Sequence, residues 1–337
     1  MNKDVMVAVE DLKTYFYTDE GVVKAVDGVS FDIKQGKTLC VVGESGCGKS
    51  ITARSILRII DPPGRITDGK IWLRRGDGSE LDLTAMDPKG KEIRKIRGKE
   101  ISMIFQEPMS SLSPVHTVGE QISEAIRLHL NYTKEDAKAR TIDVLRKVGI
   151  PKADERYDSY PFQLSGGMRQ RVMIAMALSC ESRLLIADEP TTALDVTTQA
   201  NILDLIQDLQ NQSDLALMFI THDLGVVAEI ADDAVVMYLG KVVERGPVDA
   251  IFHDPKHPYL ISLLKSIPKL TAGNRVERLD SIRGMVPHPF NRPAGCPFHP
   301  RCDKAIKGRC DLDTPPRVVL GPEREVTCFL YEEEQQP

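Results

Sequence analysis

Apolar and polar residues alternate near the start of the chain, over residues 5–9, 22–26 and 29–33. A period of two predicts antiparallel strands with one face on a core. Ile71-Trp72-Leu73 and Leu81-Asp82-Leu83 flank a polar stretch and predict a hairpin turning on Asp77-Gly78. Residues 38–42 read differently: an apolar run of strand length that ends in a Gly-rich turn, the pattern of a buried parallel strand. Residues 184–187 and 215–220 share that character. Between these runs, apolar residues recur at helical spacing over 118–130 and 134–148. The pattern predicts an α/β chain with a parallel-sheet core, an antiparallel β subdomain and a helical insert at about 106–178. There is no internal repeat and no low-complexity tract. After about residue 265 the periodicity fades and Pro, Gly and Cys become frequent. The expected division is a domain over 1–265 and a small, loop-rich, Cys-rich extension over 266–337.

Composition narrows the functional classes. The 337 residues are 42% hydrophobic and 28% charged, enough for a sizeable core under an ordinary polar surface. A formal net charge of −5 provides no global basic field, so no nucleic-acid partner is expected. Met1-Asn2-Lys3-Asp4-Val5 lacks the apolar segment of a secretory signal, and nowhere do about 18 apolar residues run together. The expectation is a cytosolic chain that reaches a membrane only through partners.

Gly43-Glu44-Ser45-Gly46-Cys47-Gly48-Lys49-Ser50 fits G-x-x-x-x-G-K-[ST] between a predicted strand and a predicted helix. The glycines let successive N–H groups turn inward around phosphates, and the helix start adds its positive end. Lys49 is expected on the β- and γ-phosphates and the Ser50 hydroxyl on Mg²⁺; Ile51, next in the chain, is counted with the expected nucleotide-binding set. Asp188 ends an apolar strand, where a carboxylate needs a cation or a hydrogen-bond donor; it is the expected Mg²⁺ partner. Glu189, next along, is placed to polarise an attacking water, with a surface Glu at a strand end as the plainer reading. Gln106 follows another apolar strand and is expected to complete the metal shell and sense the γ-phosphate; alone, it is a Gln at a strand end.

This order of motifs resembles the ATP-binding-cassette (ABC) ATPases over roughly residues 5–265. On that resemblance 43–50 corresponds to the Walker A loop, 184–189 to Walker B and Gln106 to the Q-loop. Leu164-Ser165-Gly166-Gly167-Met168 corresponds to the signature, Ala193-Leu194-Asp195 to the D-loop and His222 to the H-loop. The implied fold is a P-loop (RecA-like) core. The implied machine is a head-to-tail dimer in which each ATP lies on one subunit's Walker A under the other's signature. Ser165, Gly166 and Gly167 would then offer a hydroxyl and helix-start N–H groups to the partner's γ-phosphate, with Asp195 beside them. His222 would bond the γ-phosphate and orient Glu189; a satisfied core histidine is the alternative. Phe16, flanked by Tyr15 and Tyr17, falls where the family stacks an aromatic on adenine; a strand aromatic facing the core is its rival.

Met168 stands where many signatures carry Gln. That variant, with Glu107-Pro108-Met109-Ser110-Ser111-Leu112-Ser113-Pro114 and the run from Ala187 to Thr197, resembles the peptide and nickel importer branch. The implied partners are a second ATPase subunit, identical or paralogous, two membrane-spanning permease subunits and, indirectly, an external solute-binding protein. The implied location is the cytoplasmic face of the membrane. A soluble, non-transport ABC ATPase is the competing function; such proteins usually carry two cassettes or a very long coiled-coil insert.

Of seven cysteines, Cys296, Cys302, Cys310 and Cys328 crowd the end of the chain. Their Cys-x5-Cys, Cys-x7-Cys and Cys-x17-Cys spacings are not those of a zinc knuckle. In a reducing cytosol four late cysteines point to metal, and four thiolates suit either an iron–sulfur cluster or Zn²⁺; four free thiols is the plain alternative. The extension resembles the C-terminal region of dipeptide and oligopeptide transporter ATPases, some of which hold a [4Fe-4S] cluster. That places the cluster ahead of zinc, in a structural role, with a redox-sensing role as its rival. His299 is expected to be a loop residue and not a ligand.

Overall fold

The computed structural model describes residues 2–106, 111–192, 195–266 and 282–335. The early alternation produces two long strands, β1 (Val5–Thr18) and β2 (Gly21–Lys34), so that 22–26 and 29–33 are parts of one strand. The apolar run forms β3 (Thr38–Val42), buried at every position, and α1 (Lys49–Ile56) follows its turn. The next hairpin pairs β4 (Gly64–Arg74) with β5 (Glu80–Asp82), matching Trp72 to Asp82. It turns where expected: Gly78 has φ +83°, and Asp77 accepts the Ser79 N–H at 2.9 Å. Strands β1, β2, β4 and β5 form a four-stranded sheet in the order β2-β1-β4-β5.

Next come α2 (Lys91–Ile96), β6 (Ile101–Ile104), α3 (Val118–Leu130), α4 (Lys134–Lys147), α5 (Ala153–Arg156) and α6 (Gly166–Leu178). The sequence sets their limits. Thr117 and Glu120 close a capping box at the start of α3, Asn131 ends it at φ +56°, and Thr133 caps α4. Val118, Ile122 and Ile126 of α3 and Ala137, Val144 and Leu145 of α4 are buried, as their spacing predicts. Each buried Val, Ile or Leu among them contributes about 1.5–3 kcal/mol. Ser123 bridges Thr141 (2.9 Å) and the Tyr157 hydroxyl (3.0 Å), so these buried hydroxyls satisfy one another.

The chain continues through β7 (Leu184–Asp188), α7 (Val196–Ser213), β8 (Ala216–Thr221), α8 (Leu224–Ile230), β9 (Asp233–Tyr238), β10 (Lys241–Pro247), α9 (Val248–His253) and α10 (Pro258–Lys265). The Cys-rich extension adds β11 (Arg317–Gly321) and β12 (Arg324–Thr327). These two strands depart from the loop-rich expectation: Val318-Val319-Leu320 and Val326 are too short a set of apolar positions to make a periodic pattern.

By packing the chain divides into two compact units. One comprises Met1–Val7, Ile33–Thr38 and Trp72–Ile220; the other comprises Ala8–Asp32, Leu39–Ile71 and Thr221–Pro337. In the first, β6 and β8 run parallel to β7 on either side of it, with Ile104 beside Ala187 and Asp188 beside Ile220. In the second, β3 runs parallel to β9, and β10, β12 and β11 follow antiparallel in turn. The extension is therefore part of the sheet that carries β3.

Candidate nucleotide site

The phosphate loop leaves β3 and enters α1 through two glycines that no other residue replaces without strain. Gly43 has φ +152° and a Cβ there would fall 2.2 Å from the Met237 carbonyl oxygen; Gly48 has φ +102° and its Cβ would fall 2.2 Å from that of Ala25. Close backbone approach and left-handed geometry together require Gly. Ser45 and Gly46 are exposed at the loop's crest, while Ser50 is half-buried in the first turn of α1. Lys49, 5% exposed, is folded back on the loop: Nζ donates to Gly43 O at 2.7 Å and to Glu44 O at 3.3 Å. Cys47 is buried, and burial pushes its thiol pKa upward. Glu44 is held from outside the loop: its N–H donates to the Tyr259 hydroxyl (2.9 Å) and its carboxylate meets Arg301. In the same unit Tyr15 donates to Asp27 (2.6 Å) and Arg65 lies over the Tyr17 ring, which leaves Phe16 half-buried against Gly64. His222 is exposed after β8, just before Asp223 caps α8, so it is not the buried core histidine of the alternative reading.

The other unit carries the acidic strand and the signature. Asp188 is 2% exposed at the end of β7. Glu189 follows at φ +46°, an uncommon conformation for Glu, with its N–H on Ile220 O at 3.0 Å. Its Oε2 accepts from Gln106 Nε2 (3.2 Å) and Thr192 Oγ1 (3.0 Å), so the structure brings Gln106 and Glu189 together. Ser165 caps α6, its hydroxyl accepting the Met168 N–H at 3.3 Å, with Leu164 buried behind it. Ser165 and Gly166 are exposed, and a Cβ on Gly166 would meet nothing. The result is an uncovered helix start suited to an anion. Asp195 caps α7 through the Thr198 N–H (3.0 Å) and hydroxyl (2.7 Å), which pull its carboxyl pKa down. Ala193, Leu194 and residues 107–110 lie outside the described residues. Gln170, buried on α6, donates to Pro190 O and so ties the signature helix to the acidic strand. An open concavity of about 430 Å³ among Gln35, Arg140, Lys147, Glu181 and Asp214 holds no motif residue.

Residues 26–192 match the ABC transporter family, and residues 243–310 match the oligopeptide/dipeptide transporter C-terminal region. The oligopeptide transport ATP-binding protein AppD of Bacillus subtilis is 49% identical over 98% of both chains. This chain belongs to the ATP-binding proteins of the peptide ABC transporters. The dipeptide transport ATP-binding protein DppD of Escherichia coli is 46% identical over 96% of both chains. Among solved structures, the cassette MJ0796, dimeric in a post-hydrolysis state with ADP and Pi, is 26% identical with a TM-score of 0.63, covering 72% of this chain and 99% of that one. The ABC ATPase family thus accounts for the P-loop α/β core and for ATP as substrate. Among the described residues, no helix is long and apolar enough to cross a membrane.

Cys296, Cys302, Cys310 and Cys328 line one small apolar pocket, together with Phe298 and Phe329. Its free core is about 20 Å³, room for about one water-sized atom. Burial pushes the Cys296 thiol upward, Cys302 up to about 11 and Cys328 up to about 12. The expected metal site is not seen as such. The four residues converge, yet among the described residues no three His, Cys, Asp or Glu groups are arranged to hold a metal ion. His299 accepts or donates at Cys296 O (2.9 Å), as a loop residue.

Sequence reading missed Tyr259, Gln170 and Arg301. Each acts through a contact distant in sequence; the only local hint was Arg301 lying between Cys296 and Cys302 in a Pro-rich loop.

Proposed function

We propose that this chain is the ATPase subunit that drives import of peptides through separate membrane-spanning subunits. The observation that carries the reading is the exposed start of the signature helix at Ser165 and Gly166 on a chain that also has a complete phosphate loop. One phosphate-binding helix start serves the chain's own loop; the other is open for a second copy's nucleotide. The family membership supports a head-to-tail pair, identical or paralogous, rather than the soluble alternative. The names of AppD and DppD support oligopeptides or dipeptides as cargo.

On this reading Gly43, Gly46, Cys47, Gly48, Lys49, Ser50 and Ile51 receive the phosphates, Glu44 and Ser45 shape the loop, and Phe16 packs on the adenine. Mg²⁺ would supply charge neutralisation on the phosphate oxygens, and Ser50, Gln106 and Asp188 would hold it; a carboxylate buried as deeply as Asp188 suits that role. Glu189 aligns the attacking water, His222 fixes Glu189 and the γ-phosphate, and the partner's signature closes the site. ATP binding closes the pair and hydrolysis reopens it. The helical insert passes that motion to two permease subunits at the cytoplasmic face of the membrane, with an external solute-binding protein selecting cargo.

Glu189→Gln keeps an acceptor for Gln106 and Thr192 but removes the charge. It should hydrolyse ATP about 10²–10⁴-fold more slowly and accumulate as an ATP-bound dimer, read by light scattering with MgATP. Hydrolysis at the wild-type rate would remove Glu189 from the chemistry.

For the C-terminal region, the convergence of four thiols on one apolar pocket supports a structural soft-metal site, a [4Fe-4S] cluster ahead of Zn²⁺. An absorbance spectrum and metal analysis of anaerobically purified protein decide between them, and protein free of both metals refutes the site.

A further inference from the structure

The loop between Cys296 and Cys302 is fastened to the phosphate loop by a charge pair whose arginine is buried. Arg301 Nη1 lies 2.7 Å from Glu44 Oε2, and Nη2 lies 3.0 Å from Glu44 Oε1. This is a two-pronged guanidinium–carboxylate pair. The Arg301 side chain is 4% exposed and that of Glu44 is 25% exposed. Burial opposes the charge on Arg301, yet the hydrogen bonds it donates to Glu44 and Tyr238 outweigh that and raise its pKa. Its Nε donates to Arg283 O at 3.0 Å, so the guanidinium is fixed in direction. Phe298, three residues earlier, stands edge-on to Tyr238 with ring centres 5.2 Å apart and tilts against Tyr259 at 5.3 Å. Tyr259 in turn accepts the Glu44 N–H.

Glu44 is therefore held at both ends by groups outside the phosphate loop, and its own carbonyl oxygen faces inward. That oxygen accepts from Lys49 Nζ at 3.3 Å and from the Cys47 N–H at 3.3 Å. The contacts run in one line from the Cys-rich loop through Arg301 and Glu44 to the lysine and the N–H groups that meet phosphate. We propose that Arg301 is a positioning residue of the nucleotide site: by holding Glu44 it fixes the phosphate loop for binding, which makes the C-terminal region part of the ATP site. A charge buried this far is tolerated only while its partner is in place, so loss of either member frees the other to pull the loop elsewhere.

The inference rests on the nucleotide site proposed above, and titration of the full-length chain with MgADP tests the two separately. Arg301→Met, which keeps length but not charge, should weaken MgADP about tenfold at a temperature where circular dichroism shows the fold intact. Arg301→Lys should recover part of that loss, and Arg301→Met combined with Glu44→Gln should bind no more weakly than Arg301→Met alone, because the two residues act as a unit. If Arg301→Met does not fold, Arg301→Lys and Glu44→Gln decide, each expected to bind several-fold more weakly than wild type. Wild-type affinity in the folded variants, even with a lower melting temperature, overturns the inference and leaves the pair a structural tie. A wild-type chain that does not bind MgADP refutes the nucleotide site instead.

Discussion

Gly46 and Gly48 both sit in left-handed geometry within one loop, at φ +78° and +102°, but their surroundings differ completely. A Cβ on Gly46 would meet nothing within 4 Å; one on Gly48 would lie 2.2 Å from the carbonyl oxygen of Ala25, which belongs to strand backbone and has no room to retreat. Ala at either position carries the left-handed penalty of about 1–2 kcal/mol. Gly48→Ala adds overpacking, typically about 1–3 kcal/mol, because the loop or β2 must shift by roughly an ångström. Gly46→Ala should therefore cost about 1–2 kcal/mol and Gly48→Ala about 2–5 kcal/mol. Nucleotide-free guanidinium denaturation of both variants beside wild type measures the difference. MgADP titration gives a second reading: Gly48→Ala redirects the N–H groups that open α1 and should abolish measurable binding. Equal destabilisation of the two variants would show that the close approach to Ala25 does not constrain the loop, and the steric argument would be wrong.

His257 is fully buried, and burial alone holds its pKa down at about 3 against an ordinary 6.5. The unfolded chain takes up this proton below about pH 6.5 and the folded chain does not, so stability is complete above 6.5 and falls on acidification by about 1.4 kcal/mol per pH unit. His257→Gln, which can still accept the Tyr259 N–H, should lose stability less steeply between pH 7 and 5; parallel melting-temperature profiles would refute this. Glu244 is wholly buried, accepts the Lys256 and His257 N–H groups, and meets Arg324 of β12 at 3.3 Å. Arg324→Met strands that carboxylate and should cost about 3 kcal/mol in denaturation; a loss under about 1 kcal/mol would mean that β12 is not anchored there. Replacing Cys296 and Cys302 together by Ser should abolish any bound metal and lower the melting temperature; unchanged stability and metal content would remove the structural role of the cysteines.

The sequence by itself determined what depends on near neighbours. The run at 38–42, the Gly spacing to Lys49 and Ser50, and the strand ending in Asp188-Glu189 each specify an element and its chemistry within a few residues. The same holds for Thr117, Ser165 and Asp195, which cap the helices that follow them. Tertiary structure decided what depends on contacts between distant segments. The pairing of β12 with β10 rests on a few apolar positions and on Arg245 meeting Glu325 at 2.7 Å, a match that no local pattern announces. The left-handed Glu189 and its approach to Gln106 depend on β6, β7 and β8 lying side by side. The clamp of Arg301 on Glu44 joins residues 257 apart in sequence. Periodicity and motif spacing record only the free energy of local conformation and one-sided burial. A buried charge pair is favourable only where the fold supplies its partner, so its position appears only when the chain is packed.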